Sequence, residues 1–396
     1  MADLSINFAG IQSPNPFWLA SGPVANTAPQ VMRAFEQGWG GAVWKTIGEP
    51  VSNVSGRYAS LDLGRTRMAG LSNIELSSDR EIAANFRDIE TVKKHFPNHA
   101  VIASLMVQSR EEWHQLVKDS QNAGADGIEL NFGCPHGMCE RGMGSAVGQE
   151  PKLVELITRW VMEVAKVPVI VKLTPNITDI TEPARAARRG GANAISLINT
   201  IKSIAGVDID QFVSYPRVGS RSTHGGFSGS AVKPIALNMV KSCAIDDEFD
   251  LPISGLGGIG SWRDAVEFLL LGAGCVQVCT AVMHHGYGII TKMVDGLETY
   301  MDEKGFLSVD KMVGKALPNI GRWDELDLEY KLVARIDPEK CTHCHNCLVS
   351  CNDGAYQAIS LSVDDKIPQI DSEKCVGCNL CSLVCPIEGC VSMVEQ

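Results

Sequence analysis

The sequence predicts an α/β chain: a (β/α)8 TIM barrel over residues 1–320, a linker over 321–335 and a small cysteine-rich α+β domain over 336–396. Three observations carry this. Short apolar runs alternate with amphipathic segments through the first 320 residues. Several amphipathic segments end in Gly-Ala just before the next apolar run, as in NAGADGIEL, RRGGANAIS and LLGAGCVQV. Nine of the fourteen cysteines fall in the last 56 residues at repeating short spacings.

In chain order the apolar runs are PFWLAS (16–21), GAVWKTIG (41–48), AVIASLM (100–106), GIELNFG (127–133), VPVIVKLTP (167–175), NAISLINT (193–200), LPISGLGG (251–258) and GCVQVCTA (274–281). Most are nearly continuous in apolar character, as parallel strands covered on both faces are. Between them PQVMRAFEQG (29–38), REEWHQLVKDSQNAG (110–124), PKLVELITRWVMEVAK (151–166) and WRDAVEFLLLG (262–272) repeat apolar residues at helical spacing. A glycine after each helix suits a left-handed C-cap. Eight such units in about 300 residues make a barrel; an open doubly wound sheet is the alternative arrangement of the same units. Two connections, 49–99 and 201–230, exceed what a barrel needs. Long connections at the C-terminal ends of strands carry function or order a lid. The stretch NFGCPHGMCERGMG (131–144) also follows a strand, the fourth, and so belongs to the active face.

Composition narrows the function. Hydrophobic residues make up 45 % and charged residues 20 %, with a net charge of −11 and no basic stripe. An acidic chain gains nothing from counterion release, so nucleic acid is excluded as a partner. No run of about 18 apolar residues is present to span a membrane. The N-terminal segment lacks the basic start and apolar core of a signal peptide, and a cytoplasmic location is expected.

The cysteine-rich domain reads Cys341-x2-Cys344-x2-Cys347-x3-Cys351, then Cys375-x2-Cys378-x2-Cys381-x3-Cys385-Pro386. This spacing wraps three irons of one cubane and sends the fourth thiolate to a second cluster. Zinc sites need paired cysteines across a longer spacer. The domain resembles the two-cluster bacterial-type ferredoxins. The resemblance implies one [4Fe-4S] cluster on Cys341, Cys344, Cys347 and Cys385, and another on Cys375, Cys378, Cys381 and Cys351. Asn352 follows Cys351 where that family has proline, and Cys390 lies outside the pattern. Iron–sulfur clusters move single electrons, so the barrel needs a group that accepts single electrons and passes on pairs; a flavin does this.

Gly255-Leu-Gly257-Gly258-Ile-Gly260 follows the seventh strand and formally matches a dinucleotide fingerprint. Such a site also wants an acid at the end of the next strand, where this chain has Cys279 and Thr280. The glycines read instead as the phosphate site of a barrel, near the seventh and eighth loops. Other strand ends carry polar groups: Ala20-Ser21, Lys45-Thr46, Asn131, Lys172 and Asn199-Thr200. Two lysines converging on one mouth suggest an anionic ligand or the N1–C2=O2 edge of a reduced flavin, with Lys172 assigned to that edge.

The segments NPFWLASGP, WKTIG, LSNIELSS, LNFGCPHGMCERGMG, VIVKLTP, LINT, GGFSG, GLGGIG and VQVCTA, in that order, resemble the FMN-containing half of the dihydropyrimidine dehydrogenases, and the cysteine module resembles their C-terminal end. The resemblance implies reversible reduction of uracil or thymine to the 5,6-dihydropyrimidine, with hydride from FMN N5 to C6 and a proton from Cys134 to C5. It implies FMN contacts from Ala20, Ser21, Lys45, Thr46, Lys172, Gly229, Gly255, Gly257, Gly258, Cys279 and Thr280. It assigns the pyrimidine to Asn73, Glu75, Asn131, Asn199 and Thr200. It further implies a partner subunit holding FAD and the NAD(H) site, in a heterotetramer built on a barrel dimer. The chemistry agrees: asparagines answer both the N–H and C=O groups of a neutral ring, Glu75 accepts from N–H, and a thiol is protonated near neutrality. Gly133 and Cys139 depart from the family, which has serine and glycine there. His136 shapes the loop rather than binding metal, and Arg141 could lock a closed form. The rival readings are a dihydroorotate dehydrogenase, against which Glu75 would repel the orotate carboxylate, and an electron-transfer flavoprotein without pyrimidine activity.

Overall fold

The computed structural model describes residues 2–64, 66–361 and 366–396. It divides into two compact units, Met1–Ile320 and Gly321–Gln396.

The first unit is a closed barrel of eight parallel strands, so the open-sheet alternative is set aside. In chain order these are β1 (Phe17–Leu19), β2 (Gly41–Val43), β3 (Ala100–Leu105), β4 (Gly127–Phe132), β5 (Val169–Leu173), β6 (Ala194–Leu197), β7 (Ile253–Leu256) and β8 (Ala273–Val278). Each pairs with the next, and β8 closes on β1 through Val276 opposite Phe17. Every apolar run in the sequence holds one of these strands. Almost every strand residue is buried, which is why the runs read as continuous rather than alternating.

Helices α1 (Ala28–Glu36), α2 (Ile82–His95), α3 (Arg110–Asn122), α4 (Pro151–Met162), α5 (Thr181–Arg189), α6 (Lys233–Ala244), α7 (Trp262–Leu270) and α8 (Ile289–Lys304) follow the successive strands. The starts of α3 and α7 are fixed by reciprocal capping boxes, Ser109 with Glu112 and Ser261 with Asp264. Periodicity gave α1, α3, α4 and α7. It did not single out α2, which hides inside the long 49–99 connection, or α5, whose buried face is Pro183, Ala184, Ala186 and Ala187. Small residues leave a weak apolar signal.

The two long connections meet. Strands Tyr58–Leu63 and Thr66–Asn73 from the first join Ile201–Ser203 and Gly225–Ser228 from the second in one four-stranded antiparallel sheet. Phe227 locks this join, because its ring occupies the space beside Gly70 where any Cβ would stand 2.0 Å from it.

The second unit pairs Leu332–Ile336 with Val391–Glu395 and contains helices Asn346–Gly354 and Leu380–Leu383. Its first strand therefore begins inside the stretch expected as a linker, because Leu332–Ile336 has a pairing partner at the C-terminal end. Its main buried apolar cluster is small, Ala334, Cys347, Ile359, Cys381 and Val391, with Ala358 and Cys390 also buried. Among the described residues no helix is long and apolar enough to cross a membrane.

Candidate active site

At the C-terminal ends of the strands lies a cavity of about 450 Å³, within the size range of small-ligand sites. Three groups of residues build its wall. Beside the barrel floor stand Ala20 and Ser21 after β1, Lys45 and Thr46 after β2, and Lys172 on β5. Their hydroxyls form a chain: Ser21 Oγ lies 3.2 Å from Thr46 Oγ1, which lies 3.0 Å from Ser104 Oγ. At another part of the wall Gly229, Gly257 and Gly258 meet Cys279 and Thr280, where a short helix (Thr280–His285) begins. Thr280 Oγ1 donates to Ser228 Oγ at 3.0 Å. The third group is Asn73, Glu75, Asn131, Asn199 and Thr200.

One residue expected at the cofactor lies elsewhere. Gly255 is not on the cavity wall. It sits within β7, where a Cβ would stand 2.6 Å from Phe268 Cδ1, so its bare Cα serves the packing of α7 on the barrel.

Gly258 is required by its backbone. Its φ is +82°, and a Cβ there would stand 2.8 Å from Lys233 Cβ and 2.9 Å from the Gly229 carbonyl. Only glycine brings these two loops so close. Gly258→Ala forces the loops apart at a left-handed position costing an L-residue about 1–2 kcal/mol. Its FMN affinity should fall about tenfold or more with the barrel folded, measured by fluorescence titration of apoprotein with FMN.

The substrate-side residues are mutually oriented. Asn131 Nδ2 donates to Thr46 Oγ1 at 2.9 Å, and Asn131 Oδ1 accepts from Asn199 Nδ2 at 3.0 Å and the Gly133 N–H at 3.2 Å. Asn73 Nδ2 donates to the Gly226 carbonyl at 3.1 Å. The bare Cα of Gly133 is filled by Asn199, whose amide nitrogen would lie 2.4 Å from any Cβ there. The family serine at this place is thus exchanged for a closer approach of Asn199.

Glu75 is not a bare carboxylate. Lys45 Nζ donates to it at 2.5 Å, the Tyr58 hydroxyl donates to its other oxygen, and Arg57 Nε stands 3.8 Å away. These groups offset its charge, so its repulsion of an orotate carboxylate is weaker than the sequence suggested. Tyr58 and Arg57 were not identified from sequence, since they sit in a long connection without motif context.

Cys134 lines the cavity, and its thiol donates weakly to the His136 carbonyl at 3.5 Å. Burial pushes the thiol up to about 11, so it is protonated at neutral pH. His136 Nε2 donates to the Glu75 carbonyl at 3.0 Å, and burial holds its ring below the usual histidine range. Neutral His136 therefore ties the loop to the Glu75 segment. The Cys139 thiol donates to the Pro135 carbonyl at 3.1 Å. The loop is packed down by Met138 and Met143 against Met106 and Leu76, and by Arg141 paired with Glu49 at 2.5 Å.

Beneath the cavity the barrel holds a polar layer that sequence reading passed over. Glu129 on β4 accepts from Ser196 Oγ at 2.9 Å and Gln277 Nε2 at 3.1 Å. Its signal was present as a lone acid inside an apolar strand.

In the second unit a small apolar cavity is lined by Cys351, Cys375, Cys378 and Cys381, the four residues assigned to one cluster. Backbone N–H groups of Ala334 and Ala358 point at the sulfurs of Cys375 and Cys351, at 3.5 and 3.3 Å. Among the described residues no three His, Cys, Asp or Glu side chains converge to grip one ion. Four thiols on one cavity wall are the donor set of an iron–sulfur cluster.

Residues 3–301 match the family model described as dihydroorotate dehydrogenase, and 334–393 match the 4Fe-4S dicluster domain. The chain is 44 % identical to the NAD-dependent dihydropyrimidine dehydrogenase subunit PreA of Escherichia coli (strain K12), over 99 % of this chain and 96 % of that one. It is 42 % identical to the chloroplastic dihydropyrimidine dehydrogenase (NADP(+)) of Arabidopsis thaliana, over 80 % of this chain and 77 % of the relative. It is also 39 % identical to the catalytic subunit of dihydroorotate dehydrogenase B (NAD(+)) of Thermococcus kodakarensis, over 80 % of this chain and 99 % of that one. The chain belongs to the dihydroorotate dehydrogenase family, in a form that continues into a 4Fe-4S dicluster domain.

Proposed function

We propose that this protein reduces uracil- and thymine-type pyrimidines reversibly to the 5,6-dihydro compounds, on FMN bound in the barrel and with electrons carried by two [4Fe-4S] clusters. The observation that carries this reading is the half-buried Cys134 thiol on the wall of a pocket shared with Asn73, Asn131, Asn199, Thr200 and Glu75. Those groups answer a neutral ring of alternating donors and acceptors. The full-length likeness to the Escherichia coli subunit supports it, because that match includes the dicluster domain, whereas the dihydroorotate dehydrogenase match covers 80 % of the chain.

The wall residues fit FMN. Gly229, Gly257, Gly258 and Thr280 would hold the phosphate, and Ala20, Ser21, Lys45, Thr46 and Lys172 the ring. When bound there, FMN would supply hydride chemistry, with pyrimidine C6 as the position to be reduced. Asn131 and Asn199 fix one another, so the ring meets amides already oriented, and loss of freedom on binding is small. Cys134 delivers its proton to C5. The methionine-anchored loop excludes water while it does so.

A separate subunit holding FAD and the NAD(H) site would feed the clusters, in a cytoplasmic heterotetramer around a barrel dimer. The subunit name of the Escherichia coli relative supports a partner, and cysteine-rich clusters suit a reducing compartment. The isolated chain should accordingly oxidise NADH slowly; rapid NADH-driven uracil reduction by this chain alone would sink the partner.

The test is anaerobic reduction of purified protein followed by addition of uracil, thymine or orotate, watching the flavin band. Reoxidation by uracil or thymine is expected. Reoxidation by orotate alone would make the protein a dihydroorotate dehydrogenase, and reoxidation by none would leave electron transfer.

A further inference from the structure

The cavity holds two lysines, and each has its own carboxylate, but the pairings differ. Lys45 donates to Glu75 at 2.5 Å, a closed ion pair. Lys172 stands 3.6 Å from Glu129 Oε1, an ion pair without a hydrogen bond. Both members are nearly inaccessible, with side-chain exposures of 5 % and 0 %. Lys172 lines the cavity, and Glu129 lies beneath it, off the wall.

Glu129 is held by two hydrogen bonds on one oxygen. Its Oε2 takes Ser196 from β6 and Gln277 from β8. Gln277 in turn donates to Ser254 on β7 at 3.1 Å, and Ser254 accepts from the Cys275 thiol at 3.1 Å. The carboxylate is therefore fixed by neighbours that are themselves fixed. Its other oxygen, Oε1, has no hydrogen bond, and neither has Gln277 Oε1. An ammonium has three donors. Here it has one unsatisfied carboxylate oxygen, Glu129 Oε1, at 3.6 Å and a ligand cavity beside it, with no hydrogen bond that commits it to either.

From this geometry we infer that Glu129 is the positioning residue for Lys172, and that through it Glu129 sets the reduction potential of the bound flavin. The inference rests on the FMN reading above. Two-electron reduction of a flavin leaves negative charge along its N1–C2=O2 edge, and charges near that edge tune the couple. A lone lysine ammonium in a dry interior would stabilise the reduced ring strongly. A carboxylate 3.6 Å away on the far side cancels much of that field and draws the ammonium down from the ring. Glu129 thus keeps the flavin reducing enough to pass its electrons to a pyrimidine. Glu129 touches neither ring nor substrate.

The experiment is spectroelectrochemical titration of the flavin band in the holoprotein for wild type, Glu129→Gln, Lys172→Met and the double variant. Glu129→Gln removes the charge and keeps the size. Its flavin midpoint should rise by about tenfold in the oxidised-to-reduced equilibrium, roughly 30 mV for a two-electron couple. Lys172→Met should shift it the other way. In the Lys172→Met background the effect of Glu129→Gln should shrink severalfold, because there is no ammonium left to position. An unchanged midpoint in Glu129→Gln with full FMN, or an equal shift in both backgrounds, overturns the inference. If Glu129→Gln does not fold, Glu129→Asp withdraws the carboxylate by one methylene and should shift the midpoint in the same direction by less; no shift there also overturns it. Wild-type protein that binds no flavin would sink the FMN reading itself, which separates the two failures.

Discussion

Cys134→Ala lowers pyrimidine-dependent flavin reoxidation by about 10²–10⁴-fold, the range general acid catalysis contributes, while FMN and both clusters remain bound. The thiol can be removed with little structural consequence. Its one hydrogen bond is a weak contact to the His136 carbonyl at 3.5 Å. The loop is held instead by Met138, Met143, the Arg141–Glu49 pair and the His136 contact to Glu75. The loss therefore falls on the proton and not on the pocket: kcat drops while pyrimidine binding is nearly kept. Cys134→Ser should retain part of the activity, since an alcohol donates the same proton less readily. Cys139→Ala, whose thiol is turned to the Pro135 carbonyl, should leave the rate unchanged. Anaerobic stopped-flow mixing of reduced enzyme with uracil reads all three. A wild-type rate in Cys134→Ala would remove this thiol from the mechanism.

The same thiol fixes the sign of the pH dependence. Burial holds it up at about 11, so the acid form persists across pH 6–9. Pyrimidine reduction should show no alkaline decline from this group until the pH approaches that value. The reverse reaction needs the thiolate as base. Its population grows about tenfold per pH unit below the pKa, so dihydropyrimidine oxidation should climb with pH over the same range. Cys134→Ser should remove that climb. A shared alkaline limb in both directions near pH 8.5 would mean that an ordinary, solvated thiol does the work.

Much of this site was legible because a barrel converts strand order into geometry. Once eight apolar runs are recognised, the residues that end them must point into one mouth, and Ser21, Lys45, Thr46, Asn131, Asn199 and Thr200 do. What escaped has physical reasons. Gly255 carried a motif but works in strand–helix packing, a role sequence spacing does not distinguish from a phosphate turn. Tyr58 and Arg57 reach Glu75 because the first long connection folds back on itself as a hairpin that sets Tyr58 opposite Asn73. That hairpin lies in a stretch without a motif to mark it as part of a site. Glu129 was visible as an acid in an apolar strand, yet its partners Ser196 and Gln277 come from two other strands, with Ser254 behind Gln277 on a third, and each alone reads as an ordinary buried polar residue.

Cys381→Ser should abolish electron delivery and leave the barrel's chemistry intact. Cys381 lines the small cavity with Cys351, Cys375 and Cys378, and it belongs to the small buried core cluster of the second unit. Two members of that cluster are cysteines, Cys347 and Cys381. A core this small supplies little folding energy by itself, so ligand bonds to the clusters must hold the unit together. Losing Cys381 therefore removes a ligand and a core contact at once. Iron content should fall by at least half, and the stretch 321–396 should become far more sensitive to limited proteolysis. Turnover driven through the clusters should fall by more than about 10²-fold, whereas uracil should still reoxidise the flavin after direct chemical reduction of the FMN. That contrast tests the division of labour, because a substitution that merely destabilised the whole chain would depress both reactions together. Full iron content with undiminished cluster-driven turnover would show that Cys381 is not a ligand.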